Sequence, residues 1–100
     1  MAADESDEGG APVQLPLDGR LDLHLFRPKD VPALLDAYLS DCRSAGVLEV
    51  EVVHGKGLGL QRRRVQALLQ EREDVASVRT ADEGRGGWGV TLVTLRPPKR

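Results

Sequence analysis

Val47-Leu48-Glu49-Val50-Glu51-Val52-Val53-His54-Gly55-Lys56-Gly57-Leu58-Gly59 is the stretch that decides the fold. Glu49 and Glu51 alternate with Val50 and Val52, the period of a strand with one face buried and the other partly wet. The glycines that follow at every second position break that strand and permit a tight turn. From Leu60 to Arg72 the spacing lengthens, and Val65, Leu68, Leu69 and the stem of Arg72 form an inner side. A strand running through a glycine turn into a helix belongs to an α/β fold.

Outward from this unit the pattern continues. Upstream, Val31, Leu34, Leu35, Tyr38, Leu39 and Cys42 make one apolar helical stripe. Pro28 suits a first turn, Asp30 is an alternative N-cap that would accommodate Pro32, and Gly46 is a stop. Before that helix, Leu21 to Leu25 alternates as a strand, with Leu21, Leu23 and Leu25 on one face and Asp22 and His24 on the other. Downstream, Val75 to Ala81 reads as a third strand, Asp82 to Gly87 as a loop, and Trp88 to Arg96 as a fourth strand ended by Pro97 and Pro98. The order is β-α-β-α-β-β. Right-handed crossovers make strands one to three parallel, and the last two strands are placed to pair as a hairpin.

The two histidines fall where such a fold binds ligands. His24 ends the first strand and His54 the second, and the crevice of an open α/β sheet lies beyond the carboxyl ends of its strands. Asp22, two residues before His24, is placed to orient that imidazole. A histidine pair beside a phosphate-binding loop has the groups needed for general acid and base catalysis at a phosphodiester. The loop matches neither G-x-G-x-x-G, since Leu60 takes the sixth position, nor a P-loop, so nicotinamide and ATP sites are not expected. Gly55, Lys56 and Gly57, with Arg62, Arg63 and Arg64 on the next helix, form a basic turn suited to a nucleic-acid backbone. Two imidazoles and Asp22 fall short of a closed four-ligand zinc site. Of cofactors, only a divalent cation, Mg2+ or Mn2+, stays open. Trp88, in Gly86-Gly87-Trp88-Gly89, is expected to cap the core, with stacking on a base as its other reading.

Three blocks carry a resemblance: Leu21-Asp22-Leu23-His24, His54-Gly55-Lys56-Gly57, and Gly86-Gly87-Trp88-Gly89-Val90-Thr91-Leu92-Val93. In this order and spacing, over about residues 20–96, the chain resembles the Smr (small MutS-related) domain family. The resemblance implies a two-layer α/β sandwich with two helices against a four-stranded mixed sheet. It also implies nucleic-acid binding and, as in several family members, endonuclease activity on DNA or RNA. Asp22 and His24 correspond to the Asp and His of the first block, and Arg62 to an arginine at the start of the second helix. One departure stands out: Leu25 replaces the glycine that usually follows the first histidine.

Composition sets the bounds. A chain of 100 residues is one small domain, and with Phe26, Tyr38 and Trp88 as its only aromatics, its core is built from Leu, Val and Ala. The single Cys42 excludes an intrachain disulfide and suits a reducing, cytoplasmic setting. No apolar run spans a bilayer and the acidic N-terminus is unlike a secretion signal, so no membrane partner is expected. Of the 16 acids, five lie in residues 1–18, which hold no base; residues 19–100 carry 14 bases against 11 acids. Residues 1–18 are therefore expected to be a disordered acidic arm, and residues 19–98 a mildly basic, stand-alone Smr-like domain without an ATPase unit. Three functions stay open: an endonuclease, a non-catalytic nucleic-acid-binding module, and a domain that docks on a nucleoprotein such as the ribosome. A continuous basic face joining Lys56, Arg62 and Arg96 would favour the first two. Nothing in the sequence marks an oligomeric state.

Overall fold

The apolar stripe of the first helix is the foundation of the core. In the computed structural model, which describes residues 15–55, Gly57 and residues 59–98, helix α1 runs Val31–Ser44 and buries Val31, Leu35, Tyr38, Leu39 and Cys42. Pro32 sits in its first turn, where a missing N–H leaves no bond unmade. Asp30 occupies the N-cap position, but its carboxylate makes no cap bond and accepts from Arg27 Nε at 3.2 Å instead. Gly46, at φ +83°, stops the helix. Its N–H donates to the Arg43 carbonyl and the Val47 N–H to the Cys42 carbonyl, the two bonds of a Schellman motif.

The second helix, α2, covers Leu60–Gln70 and buries Val65 and Leu69. Strands β1 (Arg20–Asp22), β2 (Glu49–Val53), β3 (Val75–Thr80) and β4 (Val90–Leu95) form one sheet in the order β1-β2-β4-β3. β1 and β2 are parallel, while β4 is antiparallel to both β2 and β3. β1, β2 and β3 therefore run in one direction, as expected, with β4 inserted between β2 and β3 and paired to β3 as a hairpin. This is the two-layer α/β sandwich with a four-stranded mixed sheet. Leu21, Val50, Val52, Val93 and Leu95 pack with both helices in one cluster. Each such side chain contributes roughly 1.5–3 kcal/mol on full burial. On the other sheet face Glu51 lies between Arg20 and Arg85, at 2.7 and 2.9 Å.

Several boundaries differ from the periodicity. β1 ends at Asp22 because the Asp22 carboxylate accepts the His24 backbone N–H at 2.9 Å, which turns Leu23–Leu25 into a short 3-10 helix. Leu23 still enters the core, whereas Leu25 is 80% exposed and does not share the inner face of Leu21. β4 starts at Val90, since Gly87–Gly89 forms another 3-10 turn. α2 stops at Gln70, and Arg72 lies beyond it, bonded to Asp36 and Asp74. Residues 1–14 of the expected arm lie outside the described residues. Leu15 packs on the core, and the Tyr38 hydroxyl donates to the Pro16 carbonyl at 3.2 Å.

This topology sets the carboxyl ends of β1, β2 and β3 beside the amino end of β4. His24, His54, Thr80 and the Trp88 turn thus share one edge of the sheet. Among the described residues, no helix is long and apolar enough to cross a membrane.

Candidate functional site

The turn that ends β1 also orients His24. The Asp22 carboxylate accepts both the backbone N–H of His24 and, at 2.7 Å, its ring Nδ1–H. Asp22 is held below the usual carboxylate range, first by the backbone N–H of His24; burial opposes this, and the hydrogen bond from the His24 ring adds to it. It therefore remains an anion at neutral pH. With Nδ1 donating, Nε2 of the neutral ring is left with its lone pair free to accept a proton. The His24 side chain is 59% exposed.

Gly55 forms the floor beneath it. A Cβ added at Gly55 would lie 2.7 Å from His24 Nε2, and the backbone there has φ +80°. Both the space and the conformation require glycine.

His54 has a different environment. It is 7% exposed, and both ring nitrogens are engaged. Nδ1–H donates to the Gly55 carbonyl at 3.0 Å, and Nε2 accepts from the Thr91 hydroxyl at 2.8 Å. Gln66 Nε2 in turn donates to Thr91 Oγ1 at 3.2 Å. Burial lowers the His54 pKa, opposed by the Gly55 carbonyl and aided by the charges of Arg62 and His24. The bonding pattern is that of a neutral imidazole. The His54 and Gly55 N–H groups also both donate to the Gly89 carbonyl, at 2.9 and 3.0 Å. His54 is thus built into the support of the Gly55 turn.

The two histidines line one cleft of about 390 Å³, with Leu23, Phe26 and Pro28 as an apolar wall and Leu60, Gln61 and Arg64 from α2 opposite. The turn into α2 passes through Gly57 at φ +40° and Gly59 at φ +83°, and no side chain caps the helix. The amides of its first turn are thus left for other partners. Arg63 is exposed. Arg62 departs from the cleft: its guanidinium lies 4.6 Å from the centroid of the Trp88 ring, and Nη2 donates to Thr80 Oγ1 at 3.3 Å. Lys56 lies outside the described residues.

One expectation is corrected, and one criterion for choosing among the three functions is not met. Trp88 does not cap the core: it is 50% exposed, on the Gly87–Gly89 turn, because the glycines there carry the chain back into β4 before the ring can turn inward. Arg96 cannot join a basic face with Arg62, since it follows the carboxyl end of β4, at the opposite edge of the sheet. There Arg96 Nε donates to the Glu73 carbonyl, and the Arg43 guanidinium donates to the Arg96 and Pro97 carbonyls. Sequence reasoning missed Thr91 as the partner of His54, and Gln66 as the further partner of Thr91. The available signal was Thr91 itself, one hydroxyl in the apolar run Val90–Val93. Among the described residues, no group of three or more His, Cys, Asp or Glu could hold a metal ion.

A two-layer sandwich with an Asp-oriented histidine over a glycine turn, at the carboxyl edge of its sheet, defines a small class of α/β domain. The sequence pattern of the Smr domain matches residues 21–96, and the chain belongs to that family. It is 41% identical over 76 residues to a protein named endonuclease MutS2 from Geobacillus kaustophilus, covering 76% of this chain and 10% of that protein. The putative endonuclease MutS2 of Bacillus subtilis matches over the same shares of both chains, again at 41% identity. The chain thus spans about a tenth of the length of the curated relatives it matches. The crystal structure of the Smr domain of Thermus thermophilus MutS2 superposes with a TM-score of 0.73 at 33% identity, covering 78% of this chain and 98% of that one. YdaL, a stand-alone small MutS-related protein from Escherichia coli, superposes with a TM-score of 0.74 at 26% identity, covering 81% and 66%.

Proposed function

We propose that this chain binds nucleic acid along the edge formed by His24, the Gly55–Gly59 turn and the start of α2, and cleaves phosphodiester bonds there. The observation that carries the reading is the Asp22–His24 pair, with Nδ1 fixed at 2.7 Å, on an exposed ring whose Nε2 lies over Gly55. Names of relatives that include "endonuclease" support it.

In this reading His24 is the catalytic base. Nε2 takes a proton from the attacking water, or from a ribose hydroxyl in RNA. The attacking oxygen bonds to phosphorus, and the bond from phosphorus to the leaving oxygen breaks. The leaving oxygen then takes a proton from the imidazolium or from solvent. Asp22 holds the ring in the required tautomer and orientation. His54 is a positioning residue, since its nitrogens are spent on Gly55 and Thr91. This replaces the proton exchange between two histidines that the sequence suggested. The loop amides with Lys56, Gly57, Arg63 and Arg64 hold phosphates, and Leu25 is 80% exposed beside the site. Among the described residues, Asp22 is the one carboxylate bonded to His24. Among the described residues no group of three or more His, Cys, Asp or Glu is placed to hold Mg2+ or Mn2+, and no step is assigned to either ion.

The test is cleavage of supercoiled plasmid and of structured RNA by the intact chain and by His24→Ala, each with Mg2+, Mn2+ or chelator. Cutting by the intact chain alone supports the reading. Binding of both substrates without any product would leave a nucleic-acid-binding module and remove the nuclease.

A further inference from the structure

The site described so far leaves Trp88 without a role. It is a large aromatic side chain, 50% exposed, in neither apolar cluster of the fold. The turn that carries it is closely specified. Gly86 has φ +111°, and a Cβ there would overlap Val90 Cγ2. Gly87 has φ +54°, and a Cβ there would lie 3.2 Å from the Glu83 carboxylate. The Gly87 N–H donates to the Asp82 carbonyl at 2.9 Å and the Gly89 N–H to the Gly86 carbonyl at 3.1 Å. The carbonyl of Gly89, the next residue after Trp88, is the one that accepts the N–H groups of His54 and Gly55. The tryptophan and the floor under His24 are therefore parts of one hydrogen-bonded unit.

One face of the indole has a partner. The Arg62 guanidinium stacks 4.6 Å from the ring centroid and is anchored on Thr80, while its buried Nε has no hydrogen-bond partner among the described residues. The guanidinium is held against one face of the ring, and the half-exposed indole leaves surface on which a base can stack. β1 and β4 are separated only by β2, two strand spacings or about 10 Å. His24 and Trp88 lie in the turns that follow β1 and precede β4, so a strand whose phosphate lies at His24 would run towards the Trp88 turn along the same edge of the sheet.

We propose that the Trp88 indole, backed by the Arg62 guanidinium, is a stacking platform for an unpaired nucleobase of the strand bound at His24. This rests on the nucleic-acid reading above and narrows its substrate class. A base inside a duplex has both faces covered by its neighbours and cannot stack on a side chain without leaving the helix. The preferred partners are therefore single strands, flaps, loops or bulges, in DNA or RNA.

Trp88 is the only tryptophan in the chain, so its fluorescence reports on this face alone. The experiment titrates the full chain with an unlabelled single-stranded oligonucleotide and with a blunt duplex of the same sequence. Affinities come in parallel from the anisotropy of labelled copies, for the intact chain, Trp88→Ala and Trp88→Phe. The expected result is quenching by the single strand and not by the duplex. Trp88→Ala should weaken single-strand binding about tenfold, within the range of base–aromatic stacking, leave duplex binding unchanged, and be largely restored by Trp88→Phe. Single-strand binding without quenching would overturn the platform while leaving nucleic-acid binding intact, and this arm needs no variant to fold. Equal weakening of single-strand and duplex binding in Trp88→Ala would also overturn it. Failure of the intact chain to bind either oligonucleotide would remove both proposals.

Discussion

Gly55→Ala separates the geometry of the site from the stability of the fold. The new methyl carbon would start 2.7 Å from His24 Nε2 and must reach the 3.4 Å of ordinary contact, a relative shift of about 0.7 Å. The backbone at φ +80° adds strain of roughly 1–2 kcal/mol for any L side chain. Gly46→Ala is the matched control, because Gly46 has φ +83° but open space around its Cβ position, at the end of α1 away from the site. Both variants should lose about 1–2 kcal/mol in urea denaturation. Only Gly55→Ala should disturb His24, and a misplacement approaching 1 Å at a reacting group costs on the order of 100-fold in rate. The assay pairs urea melts with cleavage rates and with the NMR shifts of the His24 ring. Equal rates and unmoved ring signals in Gly55→Ala would refute the argument that Gly55 is the floor of the site.

Three further outcomes follow from the same contacts. Asp22→Asn should leave the fold intact but lower the cleavage rate about 100-fold or more, read as a fall in kcat with little change in KM. Thr91→Val keeps the shape of the side chain but leaves His54 Nε2 and the Gln66 amide without their partner; thermal denaturation should show a loss of about 1–3 kcal/mol. Burial holds the His54 pKa below its ordinary 6.5, so below that pH the unfolded chain binds a proton the native state refuses. Its contribution to stability is therefore complete above 6.5 and declines as pH falls towards the folded pKa. Urea melts across this window should show that decline, and replacing His54 with a non-titrating residue should flatten it.

The periodic parts of the sequence were legible because burial alone decides them. Val31 to Cys42 carried the whole inner stripe of α1, and Glu49–Val53 the alternation of β2. The errors cluster where a side chain competes with the backbone. The Asp22 carboxylate captures the His24 N–H, and no hydropathy pattern records that bond, so β1 was read too long and Leu25 placed inward. The site was legible as residue types at strand ends, which brought His24, His54 and Arg64 to one cleft. The division of labour was not, because two histidines in similar sequence positions differ only in tertiary partners. His54 meets Thr91, 37 residues away along the chain, and Thr91 in turn is held by Gln66, 25 residues from it. Trp88 was misplaced for a related reason: an aromatic beside a strand is ordinarily core, and only the turn geometry of Gly86 and Gly87 sends it outward.

The central claim is that the His24 edge is where nucleic acid binds, and amide shift mapping tests it most directly. The isotope-labelled chain would be titrated with a single-stranded oligonucleotide carrying a non-hydrolysable backbone. The account predicts shifts concentrated at Leu23–Leu25, Gly55–Gly59, Gln61–Arg64 and Gly87–Gly89. Shifts centred instead on the Glu51 face of the sheet, or on the Arg43, Arg72 and Arg96 edge, would contradict it.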